Sequence, residues 1–551
     1  MSLQEKTSIR ETIKQHDRYQ FETRFDYSIE SDLRRPFNLR SKHTYHMEAY
    51  FFIPKQMGIN AETYKKSHFY EDIRPLMRFN EPQFSHNDFV NSREDRESPL
   101  LRLEQILESL TDVRHPQRLA YANEAVDLIK YFACCFVSNY RRRVRRRCKA
   151  IQELLASPKD KSSQLYQMFE DIDPFLRRYF SLFRRFADLR NRFPLREDLR
   201  ETLILELLLA EEYCFYRFRE GVALVVETIE QVRNIQGNEL TTAKKKLRVW
   251  ARFIFWFERS RHFMSVDDQS SAAECERFLS RLGSIKKYLS RILYLEIKPN
   301  VLFAVRAQTG YMVAAGLAAF WYFLANLVIF SYLQFGGFNN GGGFHNLVGF
   351  GGITVIFSFV VAYVLKDRIK EIGRVRFQSG ILGKLPDHTH NIFYTNNRGE
   401  ETFIGKVNES VEFVRKLDSV PQAVRDIREK DDLWDEEDKA SLLFYRKTFE
   451  LDFPAIRRLK PQFSTVKDII RFSLRRYLTK LDDPIQIYLG LDKKGSVQEV
   501  GMPKVYYIGV AIKFFSGEQN GTSGFDYQVL VVDKNGIVRI DEVAKSVRIE
   551  Q

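Results

Sequence analysis

Tyr311–Leu333 reads YMVAAGLAAFWYFLANLVIFSYL. No charge interrupts it, and it matches the roughly twenty residues that a hydrocarbon core asks of a helix. A glycine-rich link, QFGGFNNGGGFHN over Gln334–Asn346, leads to a second uncharged run, LVGFGGITVIFSFVVAYVL over Leu347–Leu365. Two such runs in tandem predict a two-helix transmembrane hairpin over 306–366. Arg291, Lys298 and Arg306 precede the first run, and Lys366, Arg368, Lys370, Arg374 and Arg376 follow the second. Cations stay on the cytoplasmic side of a bilayer, so both termini are expected to be cytoplasmic and the glycine link outside.

Small residues suggest how the two helices would meet. Ala314 and Ala318, and Ala315 and Ala319, are spaced four apart on the first run, and Gly349 and Gly352 lie on the second. Such residues let helix backbones approach closely and are the expected packing face. Asn326 is the strongly polar side chain within the runs, available for a hydrogen bond between helices.

Outward from the hairpin, the N-terminal side divides in two. Residues 19–29 alternate, with Tyr19, Phe21, Thr23, Phe25, Tyr27 and Ile29 on one side, and Tyr45 to Ile53 does the same. Both read as half-buried strands. Ser67 looks like a helix cap before HFYEDIRPLMRF, so 1–98 is read as an α+β module. From Pro99 the period becomes helical, and 99–305 is read as a cytoplasmic helical bundle. Asp173-Pro174 resembles a helix start, and Phe193-Pro194 a stop.

Two segments of that bundle are candidate contact sites. The first is Tyr140-RRRVRRR-Cys148, with Arg141, Arg142, Arg143, Arg145, Arg146 and Arg147 around most of a helix circumference. They cannot all be buried; they form either a solvated, salt-bridged face or a contact for anionic lipid or nucleic acid. The second is Lys244–Phe263, where Trp250, Phe253 and Phe257 share a side amid cations and suggest an interfacial helix.

After the hairpin, 367–551 is read as a C-terminal cytoplasmic α+β domain. Ile485, Ile487, Leu489 and Leu491 alternate, Val505 to Phe515 reads as a longer strand, and Asp533-Lys-Asn-Gly536 is a hairpin turn. The chain is expected to end in an antiparallel meander. The fold class is therefore a membrane α+β protein, a two-helix hairpin set between an N-terminal α+β module with its bundle and a C-terminal α+β domain.

The 551 residues carry 86 Lys and Arg against 72 Asp and Glu, a net charge of +14 that favours anionic partners. The five cysteines form no C-x-x-C pair, and a disulfide framework is not indicated. The polar first twenty residues give no signal peptide. There is no P-loop, no G-x-S-x-G and no H-E-x-x-H. His388-Thr-His390 places two imidazoles on one strand face, but no second cluster completes a metal site. No catalytic residue, cofactor or metal is therefore expected. The sequence suggests a membrane-anchored, non-enzymatic scaffold or sensor binding protein partners and anionic headgroups of the bilayer. Its alternatives are an oligomeric pore or channel-like effector and a membrane tether for nucleic acid. A homo-oligomer and a bacterial inner-membrane location complete the expectation.

Overall fold

The structure is a computed structural model. It describes residues 12–542 apart from 29–42, 82–83, 93–96, 112–117, 157–161, 194–196, 233–237, 268, 336–349, 381–385, 415–419, 423, 426–440, 460–462, 464, 492–494 and 517–524. Strands β1 (Thr12–Gln15), β2 (Gln20–Ser28) and β3 (His43–Ile53) lead to helix α1 (Lys66–Asp72) and β4 (Ile73–Phe79). The helices α2 (His86–Val90), α3 (Pro99–Ser109), α4 (Arg118–Ala156), α5 (Ser162–Arg192), α6 (Glu197–Glu230), α7 (Asn238–Ser260) and α8 (Ala272–Ser290) follow. After β5 (Tyr294–Pro299) come α9 (Val301–Phe335) and α10 (Phe350–Gly380). The remaining strands are β6 (His388–Thr395), β7 (Glu401–Phe413), β8 (Ser441–Leu451), β9 (Thr465–Ser473), β10 (Ile485–Leu491), β11 (Val497–Pro503), β12 (Tyr506–Ser516), β13 (Asp526–Asp533) and β14 (Gly536–Glu542).

Twelve strands form one antiparallel sheet in the order β1-β2-β9-β4-β5-β6-β7-β8-β3-β12-β13-β14. Strands from both ends of the chain are interleaved, with β3 between β8 and β12 and β9 between β2 and β4. The period-two pattern explains the wrapping. Phe21, Phe25 and Tyr27 of β2 and Met47, Phe51 and Ile53 of β3 are buried in one core, and alternate residues of a strand share a face. Rings from strands far apart in the sheet meet across that core, Phe25 with Phe514 at 3.5 Å between centroids and Phe51 with Phe472 at 5.2 Å. The sheet is therefore curled into a nearly closed barrel. At its seam, Ile537 N donates to Arg18 O at 2.8 Å, and Gln15 Nε2 donates to Ile537 O at 3.4 Å.

The segment after Ser67 departs from its helical reading. Only Lys66–Asp72 is helical, capped by Lys65, and IRPLMRF is strand β4. Pairing with β9 and the burial of Met77 and Phe79 outweigh the local preference. Pro174 likewise lies inside α5 and does not open a helix. Asp173 is held from outside the helix, accepting from Trp250 Nε1 at 2.9 Å.

The two apolar runs are helical and pack as a pair through Ala318 and Ala362, 2% and 5% exposed. Ala315 is half-buried and Ala319 is exposed, whereas Gly349 and the side chains of Ala314 and Gly352 lie outside the described residues. Asn326 Oδ1 is buried and has no hydrogen-bond partner among the described residues. Among the described residues no helix is long and apolar enough to cross a membrane. In α10, Lys366, Asp367 and Arg368 close the apolar stretch. This overturns the membrane α+β fold class, the two spans with cytoplasmic termini and the inner-membrane location. The membrane-anchored scaffold, the pore and the membrane tether fall with them. The observed fold is α+β, a curled twelve-stranded sheet with a helical insertion between β4 and β5 and a helical hairpin between β5 and β6.

The outer face of β2 carries a pH-sensitive contact. Glu22 is 2% exposed and is met by Arg24 and by Arg471 Nε at 3.2 Å. Burial works against its charge, but the two guanidiniums outweigh it and hold the carboxyl below the usual glutamate range. A lowered folded pKa stabilises above the unfolded value, and that stabilisation is lost as pH falls through the folded value. Glu22→Gln is therefore expected to lower the urea midpoint at neutral pH. Its gap to the parent should close below about pH 4. A gap independent of pH would reject this assignment.

Candidate functional site

The helical insertion is locked by buried carboxylates of α6. Glu212 takes both Arg281 nitrogens of α8 at 2.6 Å. Glu211 is reached by Arg261 at 3.4 Å and Arg190 at 3.6 Å. Glu206 is reached by Lys130 of α4 at 3.7 Å and by the Tyr288 hydroxyl. Lys130 also donates to Asn397 Oδ1 at 3.3 Å, tying α4 to the β6–β7 turn of the barrel. Each buried charge thus has a partner on another element, which sets helix register as much as stability.

Within this frame the arginine run of α4 separates into two sides. Arg141 turns to α6, its Nη2 3.1 Å from Glu220 Oε1, while Arg217 takes the other oxygen at 2.6 Å. Arg145 acts on the same carboxylate, which the arginines hold below the usual range against the opposing effect of burial. Arg141, Arg145, Glu220 and Glu227 line a cleft of about 570 Å³ between α4 and α6, where positive and negative groups offset one another.

The other side faces α5. Arg147 lies 4.4 Å over the Phe175 ring, and Arg143 and Arg178 are close enough to act on it electrostatically. Burial first, then Arg178 and Arg143, hold the Arg147 guanidinium below the usual arginine range, with Asp171 opposing them. The same Arg143 and Arg147 act on the buried Tyr179 hydroxyl, which burial pushes up. Arg143, Arg146 and Arg178 are exposed. Among the described residues, none of the three has a carboxylate within ion-pair distance. Arg142 is half-buried with Nη1 unpartnered. Like charges repel at this range, and Asp171 offsets part of that repulsion at Arg147.

Trp250, Phe253 and Phe257 of α7 point elsewhere. Trp250 is buried, and all three rings pack in the bundle, with Phe180 5.8, 4.9 and 5.9 Å from them between centroids. The exposed rings of α7 are Phe255 and Trp256.

A second polar cluster lies inside the barrel. Lys447 Nζ of β8 donates to Asp468 of β9 at 3.0 and 3.1 Å, across the sheet interior, with both side chains fully buried. Glu409 of β7 is 3.7 Å from the same nitrogen and accepts from the Tyr445 hydroxyl at 2.6 Å. His390 Nδ1 is 3.6 Å from Glu409, and the His388 ring lies 5.8 Å from that of His390. Burial first, with His388 and Lys447, holds the His390 imidazole below the usual histidine range despite Glu409. At the rim, Asp387 accepts from Lys66 Nζ at 2.6 Å, the Tyr70 hydroxyl at 3.2 Å and Val411 N at 2.7 Å.

Among the described residues, no group of three or more His, Cys, Asp or Glu is placed to hold a metal ion. No protein-family model matches the chain, and no curated protein or solved structure matches it. The chemistry must therefore be read from the residues themselves. In the interior cluster Lys447 lies between two carboxylates, Asp468 and Glu409, whereas among the described residues Arg143, Arg146 and Arg178 have no carboxylate within ion-pair distance.

Sequence reading singled out the arginine run but not its division, because helical phase alone does not say which neighbour carries carboxylates. The interior charges carry a fainter sequence signal. Their signal was a charge on the apolar face of an alternating stretch, Lys447 among Leu443, Tyr445, Phe449 and Leu451, and Asp468 among Val466, Ile470 and Phe472.

Proposed function

We propose that this chain binds a compact, multiply charged phosphate-bearing ligand on the α4–α5 face of its helical insertion, with Arg143, Arg147 and Arg178 as the contacts. The observation that carries this reading is that Arg143 and Arg178 act electrostatically on Arg147, while among the described residues no carboxylate lies in ion-pair distance of Arg143, Arg146 or Arg178. Arginine presents a planar fork of donors matched to phosphate oxygens, and charge-assisted pairs of this kind are the strong ones. Arg143 and Arg147 are one helical turn apart, about 5.4 to 6 Å along the axis. That spacing suits neighbouring phosphate groups. A nucleic-acid backbone would call for a longer cationic stripe, because its affinity comes from many phosphates at once.

Inorganic pyrophosphate is the first probe, titrated calorimetrically into the full chain. Replacing Arg143 and Arg147 together by Gln is expected to weaken binding by about a hundredfold or more, from two charge-assisted contacts of about 1.5–3 kcal/mol each. Replacing Arg141 and Arg145, whose charge Glu220 already answers, should change it less than about threefold. Vesicles containing a phosphorylated inositol lipid, run beside the free headgroup, distinguish a lipid source from a soluble one. Equal pyrophosphate affinity in the parent and the Arg143/Arg147 variant would overturn the reading. Tighter binding to single-stranded DNA, with a steep salt dependence, would overturn it in favour of nucleic acid.

A further inference from the structure

Helix α7 has two unlike faces. Leu247, Trp250 and Ile254 face inward and are buried in the bundle. Lys245, Val249, Arg252, Trp256 and Arg259 follow one another in steps of four and three residues, which is one side of a helix. Arg248 and Phe255 flank that row, and every member of it is exposed. Val249 is 65% exposed, Phe255 52% and Trp256 63%.

This outer face is cationic as well as apolar. Among the described residues, Lys245, Arg248, Arg252 and Arg259 have no carboxylate within ion-pair distance. Glu258, the acid among the described side chains of α7, is buried and pairs with Arg219. Arg259 instead lies 5.0 Å over the Phe255 ring. Cations without counter-charges call for an anionic partner. The apolar side chains set among them call for a partner that also offers apolar material. A lipid surface offers both: Trp sits at headgroup level, and long cationic side chains lie along it with their charged ends at the phosphates.

Shape also separates lipid from a nucleic-acid strand. A single strand follows a cationic groove and stacks successive bases on flat rings. Here Arg259 already covers the Phe255 ring, which leaves Trp256 as the open platform, and Val249 has no ring to offer. The side of a helix is convex, and the row from Lys245 to Arg259 is about 21 Å long. Such a ridge can lie along a bilayer surface.

We infer that the outer face of α7 docks on an anionic lipid surface. Val249, Phe255 and Trp256 enter the headgroup layer, and Lys245, Arg248, Arg252 and Arg259 meet the lipid anions. The contact is peripheral, engages one leaflet and asks nothing of a spanning helix. It shares no residue with the α4–α5 arginines and stands apart from the phosphate site proposed there.

The test is co-sedimentation of the full chain with vesicles of phosphatidylcholine containing about one-quarter phosphatidylserine. Binding should be at least about tenfold tighter than to phosphatidylcholine alone. Replacing Arg252 and Arg259 together by Gln should weaken it about thirtyfold, from two cations at the surface. The charge-matched control, Arg141→Gln with Arg145→Gln, should change it less than about threefold. Trp256→Phe should bind within about threefold of the parent. It should lose the part of the tryptophan emission that brominated acyl chains quench. These positions of α7 are exposed, so the variants should keep the parent's urea midpoint. Equal affinity of the parent and the Arg252/Arg259 variant for the phosphatidylserine vesicles would overturn the proposal. So would equal weakening in the control, or binding to phosphatidylcholine alone that matches the mixed vesicles. Tighter binding to single-stranded DNA, lost in the Arg252/Arg259 variant, would overturn it in favour of nucleic acid.

Discussion

Replacing Lys447 by Met is expected to destabilise the protein by about 3–5 kcal/mol, the usual consequence of leaving a buried charge without its partner. Lys447 and Asp468 are both fully buried and meet across the barrel interior at 3.0 Å. The Asp468 carboxyl is already held above the usual aspartate range by burial, with Lys447 pulling it back and Glu409 opposing. Without Lys447 it rises further and takes up a proton. An acid whose folded pKa lies above the unfolded one stabilises fully below the unfolded value, and that contribution is lost as pH rises through the folded value. The deficit of Lys447→Met should therefore grow from acid toward neutral and alkaline pH. Urea midpoints at several pH values measure it. Combining Lys447→Met with Asp468→Leu should recover much of the loss, since apolar replacement of a buried pair is often neutral. A Lys447→Met chain as stable as its parent would show that the pair does not join β8 to β9.

Gly536→Ala is expected to open the barrel at its seam. Gly536 has φ +141°, where an L side chain is strained, and an added Cβ would lie on the carbonyl of Arg18. That carbonyl accepts from Ile537 N at 2.8 Å, the bond that brings β14 to the β1–β2 turn. Strain and overpacking together are expected to cost about 2–4 kcal/mol. Gly399→Ala is the control, because Gly399 has φ +78° but open space where its Cβ would go. It should cost about 1 kcal/mol from backbone strain alone. Amide exchange locates the damage: β1 and β14 should lose protection in Gly536→Ala while β8 keeps it. Uniform loss across the sheet would mean that the seam is not a separate element.

The helical hairpin and the terminal meander show how far local pattern reaches. Hydropathy foretold helices at α9 and α10, and both form, but it extended each across a bilayer. Hydropathy treats every apolar side chain alike and says nothing about what covers it. Phe320 and Phe357 remain 60% and 66% exposed on that hairpin. Alternation found β2, β3 and β12, and Asn535-Gly536 marked the last turn. It also marked Ile485 to Leu491, but period two reports that a face is apolar without naming what lies against it.

What the sequence determined by itself is therefore local. It set which segments are strands of period two, which are long helices, and where six arginines crowd one helix, because these follow from residues within a few positions of one another. Tertiary structure alone decided the rest. It interleaved strands from both ends of the chain, drew Lys447 to Asp468 across the barrel and turned Trp250 inward. It also split the arginine run between an answered side at Glu220 and an unanswered one at Arg178. Each of these joins residues that no periodicity relates, because burial and charge act through space and only closure of the sheet and bundle sets those distances.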